Sequence, residues 1–73
     1  MEEKIIQIAT DLFQEQVTTT TKMGDIEKWD SLGHINLFMG IESELGIHCE
    51  LDEIIQSDSI KKIIVLVKKH DAK

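Results

Sequence analysis

The sequence predicts an all-α fold: a small four-helix bundle with three long helices, one short helix and a long first loop. Apolar residues recur at helical spacing in three separate segments of the chain. The one apolar run that could instead form a buried strand, residues 63–67, has no second strand to pair with and is flanked by lysines at helical positions. At 73 residues the chain has room for one small domain, which we place at residues 1–73.

The first helix is expected at about residues 2–15. Glu2 and Glu3 lie where the positive end of the helix dipole favours acidic side chains. Apolar residues follow the i, i+3, i+4, i+7 spacing of a buried helix face, and two neighbours widen this stripe. The stripe consists of Ile5, Ile6, Ile8, Ala9, Leu12 and Phe13.

A long connection follows the first helix. Residues 17–21 are β-branched, which lowers helix propensity, and no clear period returns until Ser31. Connections of this length are either functional or packed by their own side chains. The connection has no proline and no glycine cluster, and Met23, Ile26 and Trp29 can pack onto a core. We therefore predict an ordered loop.

The second helix, expected at about residues 31–45 and ended by Gly46, carries two apolar faces. One face forms a sufficient core stripe, made of His34, Leu37, Phe38, Ile41 and Leu45. The other face is made of Leu32, Ile35 and Met39. Because a helix in a small bundle needs only one buried face, the second face is either covered by another part of the chain or docks a partner.

Two further helices complete the bundle. Residues 52–56 form about one helical turn, anchored by Leu51, Ile54 and Ile55. The segment Ser57-Asp58-Ser59 supplies the N-cap of a last helix at about residues 59–70. The core stripe of that helix is Ile60, Ile63, Ile64 and Val67.

The composition excludes several functional classes. Eight basic against fourteen acidic residues give a formal net charge of −6, which argues against binding nucleic acid through its phosphates. A single cysteine allows no internal disulfide, so a reducing compartment, the cytoplasm, is the expected location. No apolar run approaches the ~20 residues of a membrane span, and Met1-Glu2-Glu3 is unlike the basic start of a secretory signal.

The charge is unevenly distributed. Residues 1–60 contain three lysines and thirteen acids, a sum of −10, which suggests basic protein partners. Residues 61–73 contain five lysines and one acid, a sum of +4. We interpret these lysines as a solvated helix face.

The segment Asp30-Ser31-Leu32 lies where the long loop meets the second helix. From its position alone, Ser31 is first of all an N-cap whose oxygen accepts from a backbone N–H. A helix N-terminus also favours a covalently attached phosphate, because its N–H groups and dipole attract anions. An exposed modification site at Ser31 and a docking surface on the adjacent second apolar face would be consistent with each other.

Three segments, in this order, carry a family resemblance. They are Asp30-Ser31-Leu32 after a long loop, the run from Ile35 to Leu45 that ends in Glu42-Ser43-Glu44-Leu45-Gly46-Ile47, and Asp58-Ser59-Ile60 at the start of the last helix. On these residues the chain resembles the acyl carrier proteins, and the wider family of phosphopantetheine carriers, over nearly its whole length.

The resemblance implies an acyl-carrier-like fold and a protein that is not an enzyme. A separate phosphopantetheinyl transferase would attach 4′-phosphopantetheine from coenzyme A to Ser31, making the chain a phosphoprotein, and Asp30 would help to present the serine. The thiol of this arm would carry acyl groups as thioesters, in fatty-acid or lipid biosynthesis or in a specialised pathway.

The resemblance also implies partners and a place for the cargo. Acyl-loading and acyl-using enzymes with basic patches, like the transferase, would contact Leu32, Ile35, Met39, Glu42 and Glu44. Acyl chains would fold back between the helices against Leu37, Phe38 and Ile41, although core packing is the commoner role of such residues. A monomer is expected.

The chain departs from the family pattern just after the serine. Many fatty-acid-synthesis carriers have acidic residues there, whereas this chain has Gly33, His34 and Asn36. A later acidic ridge is kept, at Glu42, Glu44, Glu50, Asp52 and Glu53. Gly33 lowers helix propensity by about 1 kcal/mol relative to alanine, so we expect a mobile first turn. The segment from Trp29 to Ile35 looks more like carriers of dedicated pathways, such as surface-lipid, saccharide or secondary-metabolite assembly.

Two other functions fit the sequence less well than a carrier. Asp30, Ser31 and His34 are the three residue types of a hydrolytic triad, but so small a bundle has little room for an oxyanion hole and a substrate pocket. The histidines and Cys49 lack the paired spacing of zinc ligands, so no metal site is predicted.

Two alternatives stay open at this point. The first is an unmodified helical interaction module that docks through Leu32, Ile35 and Met39. The second is a carrier with an aminoacyl, peptidyl or polyketide cargo. Cys49 is expected to behave as a small, partly exposed apolar residue that could form an adventitious dimer.

Overall fold

The computed structural model describes residues 2–71, except for the side chain of Asp71. Its elements in chain order are α1 (Glu2–Phe13), α2 (Ser31–Leu45), α3 (Leu51–Gln56) and α4 (Ile60–Asp71). The predicted all-α fold with three long helices and one short helix is confirmed. Helix α2 begins and ends where the sequence predicts, whereas α1 ends two residues earlier than expected.

The core lies where α1 packs against α2 and α4. Helix α2 buries the stripe predicted for it, with Leu45 at its half-buried edge, and α4 buries its predicted stripe together with Leu66. Ser59 caps α4, because its hydroxyl accepts from the backbone N–H of Lys62 at 3.2 Å. None of the helices within residues 2–71 is long and apolar enough to cross a membrane.

The long first loop is ordered by packing, as predicted. Val17, Ile26 and Trp29 are buried in the same core as the helices. The middle of the loop is also bonded to the start of α4: the backbone N–H of Met23 donates to the carbonyl of Asp58 at 2.8 Å, and that of Ile60 to the carbonyl of Thr21 at 3.0 Å. These bonds flank an isolated antiparallel bridge between residues 22 and 59.

Two predictions of buried apolar residues are wrong. Leu12 is 40% exposed, because α1 ends at Phe13 and the buried positions run through Ile5, Ala9 and Phe13. In α3, only Ile54 packs against the core, while Leu51 and Ile55 are exposed. Residues four apart share one face of a helix, and in α3 that face is turned to solvent.

Candidate functional site

The corner between the long loop and α2 is built by Asp30. Its backbone is extended (φ −102°, ψ −166°), and its Oδ1 accepts from the backbone N–H of Gly33 at 2.8 Å. Asp30 is therefore the N-cap of α2, and the expectation that Ser31 is the cap is wrong. Both residue types make good N-caps, so the sequence could not decide between adjacent positions.

Ser31 is the first residue of α2 and is exposed. Because Asp30 supplies the cap, the Ser31 hydroxyl is not needed for that bond. The first hydrogen bond of the helix is made by the backbone N–H of His34 to the carbonyl of Asp30, at 2.8 Å. The N–H groups of Ser31 and Leu32 precede it and, as in any helix, have no intrahelical acceptor. An anion attached at Ser31 would meet these groups and the positive end of the helix dipole.

Gly33 brings the loop backbone close to the first turn of α2. A Cβ atom placed on Gly33 would collide with the carbonyl oxygen of Lys28, which is backbone and cannot swing aside, and would lie 3.2 Å from the ring of Phe13. We expected this glycine to loosen the first turn. The close approach instead gives it a packing role.

The second apolar face of α2 is not covered by the rest of the described chain. Leu32 is 70% exposed, Met39 61% and Ile35 39%. Leu32 directly follows Ser31, so this face begins at the corner. The residues expected to line an acyl chain are buried instead. Leu37, Phe38 and Ile41 are at most 1% exposed and belong to the core.

Two of the acidic residues expected to contact partners have partners within the chain. Oε2 of Glu42 accepts from the backbone N–H of Cys49 at 2.7 Å, which fixes the link between α2 and α3. Glu44 lies 3.5 Å from the ammonium group of Lys4, and both side chains are about half exposed. Glu44 therefore remains accessible, whereas Glu42 is largely committed to the fold.

His34 is buried, as the core stripe predicts, and is 4% exposed. The indole N–H of Trp29 donates to its Nδ1 at 3.0 Å, and its Nε2 lies 2.6 Å from the carbonyl oxygen of Ile54. Both ring nitrogens are thus engaged away from Ser31. This geometry gives no support to a hydrolytic Ser31–His34 pair, which would need a free ring nitrogen to act as base. The sequence offered no signal for either bond.

Among the described residues, three side chains have pKa values shifted by their surroundings. Burial raises the pKa of the Cys49 thiol, with a further contribution from Glu42. The expectation that Cys49 is partly exposed is wrong, because its side chain is only 2% exposed. The backbone N–H of Glu50, and then His70, lower the pKa of Glu53. The hydrogen bond from Lys62 lowers the pKa of Asp58. Within residues 2–71 no three acidic, histidine or cysteine side chains are grouped so that they could hold a metal ion.

No family model matches the chain, and no curated protein matches it. Among solved structures, the chain is similar to the solution NMR structure of a holo acyl carrier protein from Geobacter metallireducens. The two sequences are 28% identical, and the likeness covers 97% of this chain and 85% of that chain with a TM-score of 0.85. The resemblance inferred from the sequence and the acyl-carrier-like fold are confirmed. This is the fold of a carrier protein rather than of a catalyst, in agreement with the expectation that the chain is not an enzyme.

Proposed function

We propose that this chain, which has the fold of an acyl carrier protein, carries acyl groups as thioesters on a 4′-phosphopantetheine arm attached to Ser31. The observation that carries the proposal is the division of tasks at the start of α2. Asp30 caps the helix, and the neighbouring serine hydroxyl is left exposed at the positive helix end. The whole of residues 1–73 would act as one carrier domain, working in the cytoplasm.

The residues at the corner fit a phosphodiester. The N–H groups of Ser31 and Leu32 can donate to its oxygens. Helix α2 has no acidic side chain in its first turn, and the carboxylate of the N-cap Asp30 accepts from the N–H of Gly33. On attachment, the Ser31 oxygen forms a bond to phosphorus as the pyrophosphate bond of coenzyme A breaks, and adenosine 3′,5′-bisphosphate leaves. His34 is not placed to take the serine proton, because both of its ring nitrogens are engaged, so the transferase would supply the base. When bound, the arm supplies a tethered thiol that raises the effective concentration of its cargo at a docked enzyme.

Partner enzymes would recognise the corner through the exposed face of α2. Leu32 and Met39 offer apolar contacts beside the arm, and Glu44 offers a charge to a basic patch. Glu42 contributes less than the family pattern implies, because its carboxylate holds the N–H of Cys49. A cargo that folds back toward Leu37, Phe38 and Ile41 would have to part fully buried side chains.

The attachment of the arm is tested by intact mass. Incubation with coenzyme A and a promiscuous phosphopantetheinyl transferase should add one phosphopantetheine to the chain. Ser31→Ala should abolish the increase, whereas Ser43→Ala, a change at an exposed position later in α2, should not. If no transferase that is tried modifies the wild-type chain, the proposal is contradicted. The rival function, a helical interaction module that docks through Leu32, Ile35 and Met39, would then remain.

We further propose that the carrier serves a dedicated pathway rather than general fatty-acid synthesis. The support is the absence of acidic residues just after Ser31, where Gly33 is required for close packing and His34 is buried. Purified fatty-acid elongation enzymes should therefore use the holo form much less efficiently than their own carrier. Equal kcat/KM values for the two carriers would contradict this part of the proposal. Loading enzymes choose the cargo. The same kcat/KM measurement with aminoacyl and with polyketide loading enzymes therefore tests whether the holo form accepts either of those cargoes.

A further inference from the structure

We infer that His34 is a positioning residue that joins the end of the long loop, through Trp29, to helix α3, through the carbonyl of Ile54. Its ring nitrogens lie 3.0 Å from the indole nitrogen and 2.6 Å from the carbonyl oxygen. One side chain on α2 therefore holds two segments that lie on either side of α2 in the chain.

The two contacts fix the tautomer of His34. An indole nitrogen can only donate, so Nδ1 must be the acceptor and carry no proton. Nε2 then carries the proton and donates it to the Ile54 carbonyl, which as a backbone oxygen can only accept. Of the two neutral tautomers, the Nε2–H form alone makes both bonds.

The ring is also fixed by aromatic packing. The centroid of Trp29 lies 6.0 Å from that of His34 with the planes 27° apart, and the ring of Phe38 meets the imidazole edge-on with the centroids 5.2 Å apart. Phe13 continues the stack beyond the indole at 5.6 Å. Because the ring cannot rotate freely, the positions of its nitrogens are set by the core.

Helix α3 depends on few other contacts. It has six residues, and none of its side chains is fully buried. Ile54 packs partly on the core, and Glu53 bonds to His70 of α4 at 3.0 Å. The Ile54 carbonyl accepts from the backbone N–H of the C-cap Ser57 at 3.3 Å, and Nε2 of His34 is a second, closer partner from outside the helix. The bond from His34 is therefore one of the few side-chain contacts that attach α3 to the body.

The Trp29 bond reaches the corner described above. Trp29 directly precedes the N-cap Asp30, so the same imidazole that holds α3 also holds the segment that presents Ser31. The link between α3 and the attachment residue rests on the proposed function, whereas the two hydrogen bonds do not.

Two variants separate the two bonds. Asparagine in place of His34 puts its amide oxygen near the position of Nδ1, where it can accept from Trp29, but its side chain is too short to reach Ile54. Glutamine puts its amide NH₂ near the position of Nε2, where it can donate to Ile54, but leaves Trp29 without its acceptor. His48, an exposed histidine in the link between α2 and α3, gives the matched controls His48→Asn and His48→Gln.

The measurement is hydrogen exchange by NMR on the unmodified chain, at the α3 amides and at the Trp29 indole. His34→Asn should speed exchange of the Ile54, Ile55 and Gln56 amides by roughly tenfold or more relative to those of α1 and α4, with a smaller effect on the indole. His34→Gln should do the reverse, and the His48 variants should change neither. Equal effects of both His34 variants on both sites would overturn the inference, because His34 would then only support the core as a whole.

The wild-type chain gives a second test that needs no variant to fold. Long-range ¹⁵N–¹H correlations of the imidazole should show a proton on Nε2 and none on Nδ1. A proton on Nδ1 would overturn the inference. Neither measurement involves coenzyme A or a transferase. A failure of this inference can therefore be distinguished from a failure of the mass test of Ser31.

Discussion

At the start of α2, each of three residues has a distinct physical task. Asp30 accepts the N–H of Gly33 and caps the helix. Ser31 keeps an exposed hydroxyl beside that cap. Gly33 leaves room for the carbonyl of Lys28, so the loop lies directly on the first turn. The presentation of the serine thus depends on a hydrogen bond and on close packing within the chain.

The role of Gly33 predicts the sign of a substitution. Alanine would gain about 1 kcal/mol of helix propensity but would collide with a backbone oxygen. We expect the collision to dominate, so that Gly33→Ala lowers the free energy of unfolding by roughly 1–3 kcal/mol, as overpacking commonly does. Urea denaturation followed by circular dichroism measures the change.

Gly40 provides the control within the same helix. A Cβ there would lie 3.3 Å from the Cγ2 methyl group of Ile8, a milder contact than the collision at Gly33 and one with a side chain rather than with backbone. Gly40→Ala should therefore cost clearly less than Gly33→Ala. If the two variants lose the same stability, the close approach of Lys28 is not what requires the glycine.

At the scale of the elements, the sequence predicts the long helices well and the contacts between elements poorly. The stripes of α2 and α4 are buried as predicted, because many apolar residues at one spacing determine which face turns inward. Leu12 is the exception in α1: the buried face runs through Ile5, Ala9 and Phe13, and at about 100° per residue Leu12 lies at the edge of that face. The bond from His34 to Ile54 joins residues twenty apart, and no local pattern encodes it.

The attachment of α3 to α4 predicts a pH dependence. Glu53 accepts from the backbone of Glu50 and from His70, and its pKa is lowered in the folded chain. A lowered pKa means that the unfolded chain binds the proton more tightly, so this stabilisation is present above the usual glutamate pKa of about 4.3 and is lost as the pH falls through the lower folded value.

The variant Glu53→Gln isolates this contribution. Its free energy of unfolding should fall below that of the wild type at about pH 7, and the difference should shrink below about pH 4. Urea titrations at several pH values measure it. Glu15→Gln, at an exposed position beyond α1, should show no such trend. A difference that stays constant down to pH 3 would mean that the charge of Glu53 does not hold α3.

At the scale of the whole molecule, a strongly acidic body coexists with a small, dense core. The Cα radius of gyration is 10.9 Å, close to the roughly 11 Å expected for a compact chain of this length. Two acids in the described part of the chain pair with lysines of another element, Glu44 with Lys4 and Glu53 with Lys69. Such exposed pairs stabilise little, so the apolar core, including the loop residues Val17, Ile26 and Trp29, accounts for most of the stability.

The bridge between Lys22 and Ser59 affects how far a carried group could travel. It fastens the middle of the 14–30 loop to the start of α4, so only residues 23–30 separate this fastening from Ser31. That span is itself held by the buried Ile26 and Trp29. Ser31 is thus joined to a packed segment rather than to a free tether. In the proposed function, the reach of the cargo would then be set by the length of the arm, and each client enzyme would have to bring its active site to within that distance.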